Sequence, residues 1–118
     1  MAKLSTIQIQ VGLDNDRIPE KIEWRATDSS EADRYQQAKA MLISFWDGAD
    51  KTALRIDLWT KQMMVDEMAD FFYQTMMTMA DTYQRATPYK DQADDIRAFA
   101  KDFYKKFEAK QKEEQQQQ

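Results

Sequence analysis

The sequence predicts an α+β fold: a four-stranded antiparallel β-sheet running as a meander, then two α-helices packed on one of its faces, in the order ββββαα. Two observations carry this expectation. Apolar residues recur with period two in four runs before residue 61, and from Met64 onward they recur every three or four residues. The turn-forming groups Asp14-Asn15-Asp16-Arg17 and Gly48-Ala49-Asp50-Lys51 fall between the alternating runs.

The first strand is expected over Ser5 to Leu13, with Ile7, Ile9, Val11 and Leu13 on one face and Thr6, Gln8, Gln10 and Gly12 on the other. After Pro19 a second run sets Ile22, Trp24 and Ala26 against Lys21, Glu23, Arg25 and Thr27. Residues 27–33 form a polar connection, and the stretch through Gln37 reads as loop. Ala38 to Trp46 is apolar on both faces, the pattern of a strand in the middle of a sheet or covered on both sides.

The loop 48–51 leads into a fourth strand, Thr52 to Thr60. If Asp47 faces Thr52, then Phe45, Ile43 and Met41 lie across from Leu54, Ile56 and Leu58 and make one apolar face.

A first helix follows from about Met64, with an apolar stripe through Met64, Val65, Met68, Phe71, Phe72, Thr75, Met76, Met79 and Tyr83. Asp66 and Glu67 near its start and Arg85 near its end suit the helix dipole. Thr87 followed by Pro88 is a start signal for a second helix, with Ala93, Ile96, Phe99, Ala100, Phe103 and Phe107 facing inward. Residues 1–109 are therefore read as a single domain. Residues 110–118, a polar Gln-rich tail with nothing apolar to bury, are expected to be disordered.

Composition narrows the function. The 118 residues contain no cysteine and no histidine, which removes thiolate nucleophiles, disulfides, cysteine metal sites and the usual general base at neutral pH. No phosphate loop, nucleophile elbow or metal-ligand spacing is present, so no enzyme activity, catalytic residue, cofactor or metal is expected. The net charge is −4, with cations scattered among carboxylates, so nucleic acid is not an expected partner. No segment has the ~20 apolar residues of a membrane span, and the first residues lack the apolar run of a signal peptide. The expected location is the cytoplasm.

Three groups of residues are candidates for chemistry or binding. Met63, Met64, Met68, Met76, Met77 and Met79 cluster on or beside the first helix, and flexible methionines suit a surface for varied apolar partners. The plainer reading packs Met64, Met68, Met76 and Met79 into the core with Phe72, leaving Tyr73 and Met77 on the flank as contact candidates. On the far face of the sheet, Leu42, Trp46 and Trp59 share a surface with Arg55 and Asp57, a tryptophan pair rimmed by charge. That surface is read either as an interface or as covered by residues 29–37. Asp57, Asp66 and Glu67 are the nearest approach to a carboxylate pair, but a strand face and a helix start hold acids for ordinary reasons.

Several segments carry a family resemblance. Pro19 to Asp28 (PEKIEWRATD), Leu54 to Lys61 (LRIDLWTK), Val65 to Met68, Phe71 to Thr75, Met79 to Thr82 and Arg85 to Thr87 resemble, in order and spacing, the gliding-motility protein GldC family of the Bacteroidetes. The resemblance spans about Ile7 to Phe107; it departs at Ser29 to Gln37 and in the glutamine-rich tail. It implies a non-catalytic accessory or adaptor of the gliding machinery, acting on a protein partner from the motility or secretion apparatus. It transfers no functional residue. Separately, apolar surface beyond what one helical layer needs leads to the expectation of a homo-oligomer. The strand-then-helix order is also similar to that of the export chaperone SecB, which implies an alternative: a cytoplasmic chaperone holding envelope or secreted client proteins.

Overall fold

A computed structural model describes residues 3–27 and 34–116. They form two compact units, residues 1–63 and residues 64–118, the first made of strands and the second of helices.

Among its described residues the first unit holds five strands in two sheets: β1 (Ile7–Leu13), β2 (Pro19–Ala26), β3 (Gln36–Ala38), β4 (Ala40–Asp47) and β5 (Thr52–Trp59). Sheet order is β1-β2-β3 in one and β4-β5 in the other, all antiparallel. The α+β class holds, but the single four-stranded sheet expected from the sequence does not. The predicted third strand, Ala38 to Trp46, is divided at Lys39. Its N-terminal part extends back to Gln36 and pairs with β2, while its C-terminal part pairs with β5.

The residue at the division is held from far along the chain. Thr60, 2% exposed, donates both its backbone N–H (2.7 Å) and its hydroxyl (3.1 Å) to the Lys39 carbonyl. One step on, the Lys61 N–H donates to the Pro19 carbonyl at 3.3 Å. The segment after β5 thus grips the chain where it leaves one sheet for the other, the kind of bend by which a strand switches sheets.

The expected facing of residues holds in both sheets, but Ile7, Ile9 and Leu13 on β1, expected on a half-buried strand, are exposed. Ile9 faces Trp24 and Val11 faces Ile22, whose side chain is 1% exposed, and the pairing shifts only between Gly12 and Leu13. Gln36 and Gln37, read as loop, pair with Trp24 and Glu23, and Arg25 lies over the Tyr35 ring at 4.8 Å. In the β1–β2 turn, Asp14 Oδ1 accepts from the N–H groups of Asp16 (2.8 Å) and Ile18 (3.0 Å), and Arg17 takes a left-handed φ of 63°.

The second unit is a helical hairpin of α1 (Val65–Ala86) and α2 (Lys90–Gln116). Glu67 accepts from the Met64 N–H at 3.2 Å, half of a capping box, which fixes the start of α1. At its end the Thr87 hydroxyl donates to the Tyr83 carbonyl at 2.9 Å and accepts from the Tyr89 N–H at 3.3 Å. Thr87 therefore serves both helices, although α2 becomes regular only at Lys90. The helices run antiparallel along a seam of buried alanines, Ala69 and Ala80 on α1 and Ala93 and Ala100 on α2. Small side chains let the backbones approach, and the larger apolar residues then lie beside the seam: Phe72, Met79 and Phe99 are exposed, contrary to their expected place in the core. The helix continues through Gln116, past the point at residue 110 where its polar composition suggests disorder; lysine, glutamate and glutamine are strong helix formers and hold a solvated helix without burial. Residues 117 and 118 lie outside the described part.

Candidate functional site: the β4–β5 hairpin

Asp47 and Thr52 close the hairpin across a four-residue loop, as expected. The Asp47 carboxylate accepts from the N–H groups of Ala49 (2.9 Å) and Asp50 (3.2 Å), and Lys51 takes a left-handed φ of 55° while its N–H donates to the Asp47 carbonyl at 2.8 Å. From this closure the register runs without a bulge through eight pairs, from Asp47–Thr52 to Ala40–Trp59. Period two then sorts the side chains. Met41, Ile43 and Phe45 stand with Leu58, Ile56 and Leu54 on one face, and Leu42 and Trp46 stand with Trp59, Asp57 and Arg55 on the other.

Among the described residues neither face is fully covered, although Met41, Ile43 and Leu58 on the first are half-buried. On the first, Phe45, Leu54 and Ile56 are exposed. On the second, Trp46 is 69% and Trp59 57% exposed, and Leu42 is exposed as well. Arg55 Nε lies 3.3 Å from Asp57 Oδ2, so this pair on β5 sits at levels between Trp46, on β4 opposite Ala53, and Trp59. Exposed tryptophans are costly in water and are enriched where proteins meet. The structure thus brings Leu42, Trp46, Arg55 and Trp59 together. Tyr73 and Met77, the other contact candidates, belong to the helical unit and are half-buried; the Tyr73 ring packs on Tyr104 at 5.0 Å. Of the residues 29–37 considered as a cover for the tryptophan face, 29–33 lie outside the described part, and Gln36 and Gln37 are occupied beside β2.

The acidic candidates have structural partners: Asp57 pairs with Arg55, Glu67 caps α1, and Asp66 accepts from the Glu67 N–H at 2.8 Å. Among the described residues no group of three His, Cys, Asp or Glu side chains is placed to hold a metal ion. The shifted titrations belong to structural ion pairs. The Lys61 ammonium, hydrogen-bonded to Asp14 at 2.7 Å, holds that carboxyl below its ordinary value, with the Ile18 N–H adding to the effect, and Asp14 in turn raises Lys61. Arg97 is raised, chiefly by its bond to Asp81, and also contacts Asp94 and Gln84, each at 2.8 Å, clamping α2 to α1 beside a shallow open depression. Sequence reasoning missed Arg97 and Thr60, since each acts on a residue distant in the chain. No helix among the described residues is long and apolar enough to cross a membrane.

No curated protein and no solved structure matched the chain. A family model described as gliding motility-associated protein GldC-like matches residues 19–109, which include the whole hairpin and most of both helices. With that match covering well over half of the sequence, the chain belongs to the GldC-like family of gliding motility-associated proteins.

Proposed function

We propose that this protein is a non-catalytic accessory of the gliding-motility machinery, acting in the cytoplasm as an adaptor that binds a protein partner through the Leu42–Trp46–Trp59 face of the β4–β5 hairpin. The supporting observation is that face: two exposed tryptophans flank an Arg55–Asp57 pair on a strand whose register is fixed by its loop. Aromatic anchors with a charged rim supply affinity at the centre and orientation at the edge.

The test is replacement of the native copy by the Trp46→Ala, Trp59→Ala double variant in a gliding bacterium that carries this protein, with protein level and cell speed measured together. Loss of gliding at an unchanged protein level supports the reading. Normal gliding at that level contradicts it.

A second reading, a chaperone holding export clients, draws on the helical unit, where Met64, Phe72, Met79 and Phe99 present flexible and aromatic side chains to solvent. Suppression of aggregation of several unrelated unfolded clients would favour it over an adaptor with one partner.

A further inference from the structure

We propose that the outer edge of β5 pairs with the β5 of a second copy of this chain, antiparallel about a two-fold axis at Ile56, so that two hairpins join into one four-stranded sheet. The inference rests on the reading of the hairpin as a contact element, but it uses the strand's edge rather than its tryptophan face.

Among the described residues, β5 pairs with β4 alone, and a two-stranded sheet by itself is at best marginally stable in water. The Thr60 N–H bonded to Lys39 marks that position as a hydrogen-bonded pair. Alternation along an antiparallel ladder then aims the backbones of Leu58, Ile56 and Leu54 at β4, and those of Ala53, Arg55, Asp57 and Trp59 outward. Outward groups must meet outward groups, which limits a two-fold pairing to a few registers.

Side chains select among them. Centring on Arg55 or on Asp57 sets like charges directly opposite each other. Centring on Ile56 sets Arg55 opposite the second copy's Asp57 at two symmetric places, Leu54 opposite Leu58, Ile56 opposite itself, and the small Ala53 opposite the large Trp59. Thr52 to Thr60 is thus self-complementary in charge, polarity and size about its midpoint, as an isologous contact requires. The pairing would satisfy on the order of eight outward backbone hydrogen bonds. Arg55 and Asp57 also keep an opposite charge beside them on both sides of the new seam.

The test uses Arg55→Asp and Asp57→Arg, changes at exposed side chains, with molar mass followed by light scattering over a dilution series and folding checked by circular dichroism. The wild-type chain is expected at twice its 14.0 kDa at the concentrated end of the series. Each variant alone opposes like charges at both places and should raise the dissociation midpoint at least about tenfold. An equimolar mixture of the two variants restores opposite charges across the seam and should recover a one-to-one dimer, a result that contacts within one chain cannot produce.

A wild type that is monomeric throughout, single variants as dimeric as the wild type, or a mixture that stays monomeric would each overturn the pairing. These outcomes separate from the adaptor reading. Gliding lost in the tryptophan variant beside a monomeric wild type would remove the edge pairing and leave the partner face standing, and a dimer with normal gliding in that variant would do the reverse.

Discussion

The edge strands β1 and β5 are similar in length, apolar on one face and, among the described residues, paired on one side only, yet they differ in what they specify. β1 ends in a shift of register at Gly12 and Leu13, and its side chains from Ile7 to Leu13 carry no charge. β5 runs straight through eight pairs and carries one arginine and one aspartate placed symmetrically about Ile56. Neutral edges accept several registers; an edge with two opposite charges accepts few. The difference extends to their sheets: beside β1 the β2 residue Ile22 is buried, although Ile7, Ile9 and Leu13 on β1 are exposed, whereas β4 and β5 hold no fully buried residue. One sheet contributes a buried side chain and the other contributes none.

The strongest way to break that comparison is to make the same deletion in each sheet. Ile22→Ala should lower unfolding stability by about 2–5 kcal/mol, the cost of a cavity at a buried site. Ile56→Ala, at a side chain about half exposed, should cost less than ~1.5 kcal/mol in dilute solution and more as concentration rises, if a second copy covers it. Equal, concentration-independent losses in thermal or denaturant unfolding would erase the distinction.

The junction between the sheets comes next in size. Thr60→Val keeps the backbone bond to Lys39 but removes the hydroxyl's, and should cost about 1–2 kcal/mol. Smaller still is Lys51→Gly, which relieves a left-handed backbone in the hairpin loop and should stabilise by about 0.5–1 kcal/mol, visible as a rise in melting temperature.

The sheets should also differ in acid. Asp14, lowered chiefly by its bond to Lys61, contributes stability that is present above its unfolded value near 4 and is lost as pH falls through the lower folded value. Asp14→Asn should therefore flatten the acid limb of stability against pH, while a charge-neutral change in the hairpin, Ser44→Ala, should leave it unchanged.

Much of the hairpin was legible before any coordinates. A loop of fixed length and strict alternation determine the register, and with it the sharing of one face by Leu42, Trp46, Arg55 and Trp59. The division of the third strand was not legible, because Ala38 to Trp46 alternates without a break and Lys39 is an ordinary strand residue; the bend is held by Thr60, twenty-one positions away. In the helical unit the spacing located α1 well, but period alone could not tell which part of a broad apolar stripe would meet the other helix. Alanine at positions 69, 80, 93 and 100 allowed the closest approach, and Phe99 was left outside. The helix past residue 110 has no signal in apolar periodicity, since lysine, glutamate and glutamine carry it by intrinsic preference without burial.

The most direct test of the edge distinction is backbone amide exchange by NMR at a dilute and a concentrated setting. The amides of Ala53, Arg55, Asp57 and Trp59 should exchange fast when dilute and gain protection at high concentration, while the outward amides of Ile7, Ile9 and Val11 on β1 stay fast at both. Protection that does not change with concentration on β5, or that grows equally on β1, would contradict the account.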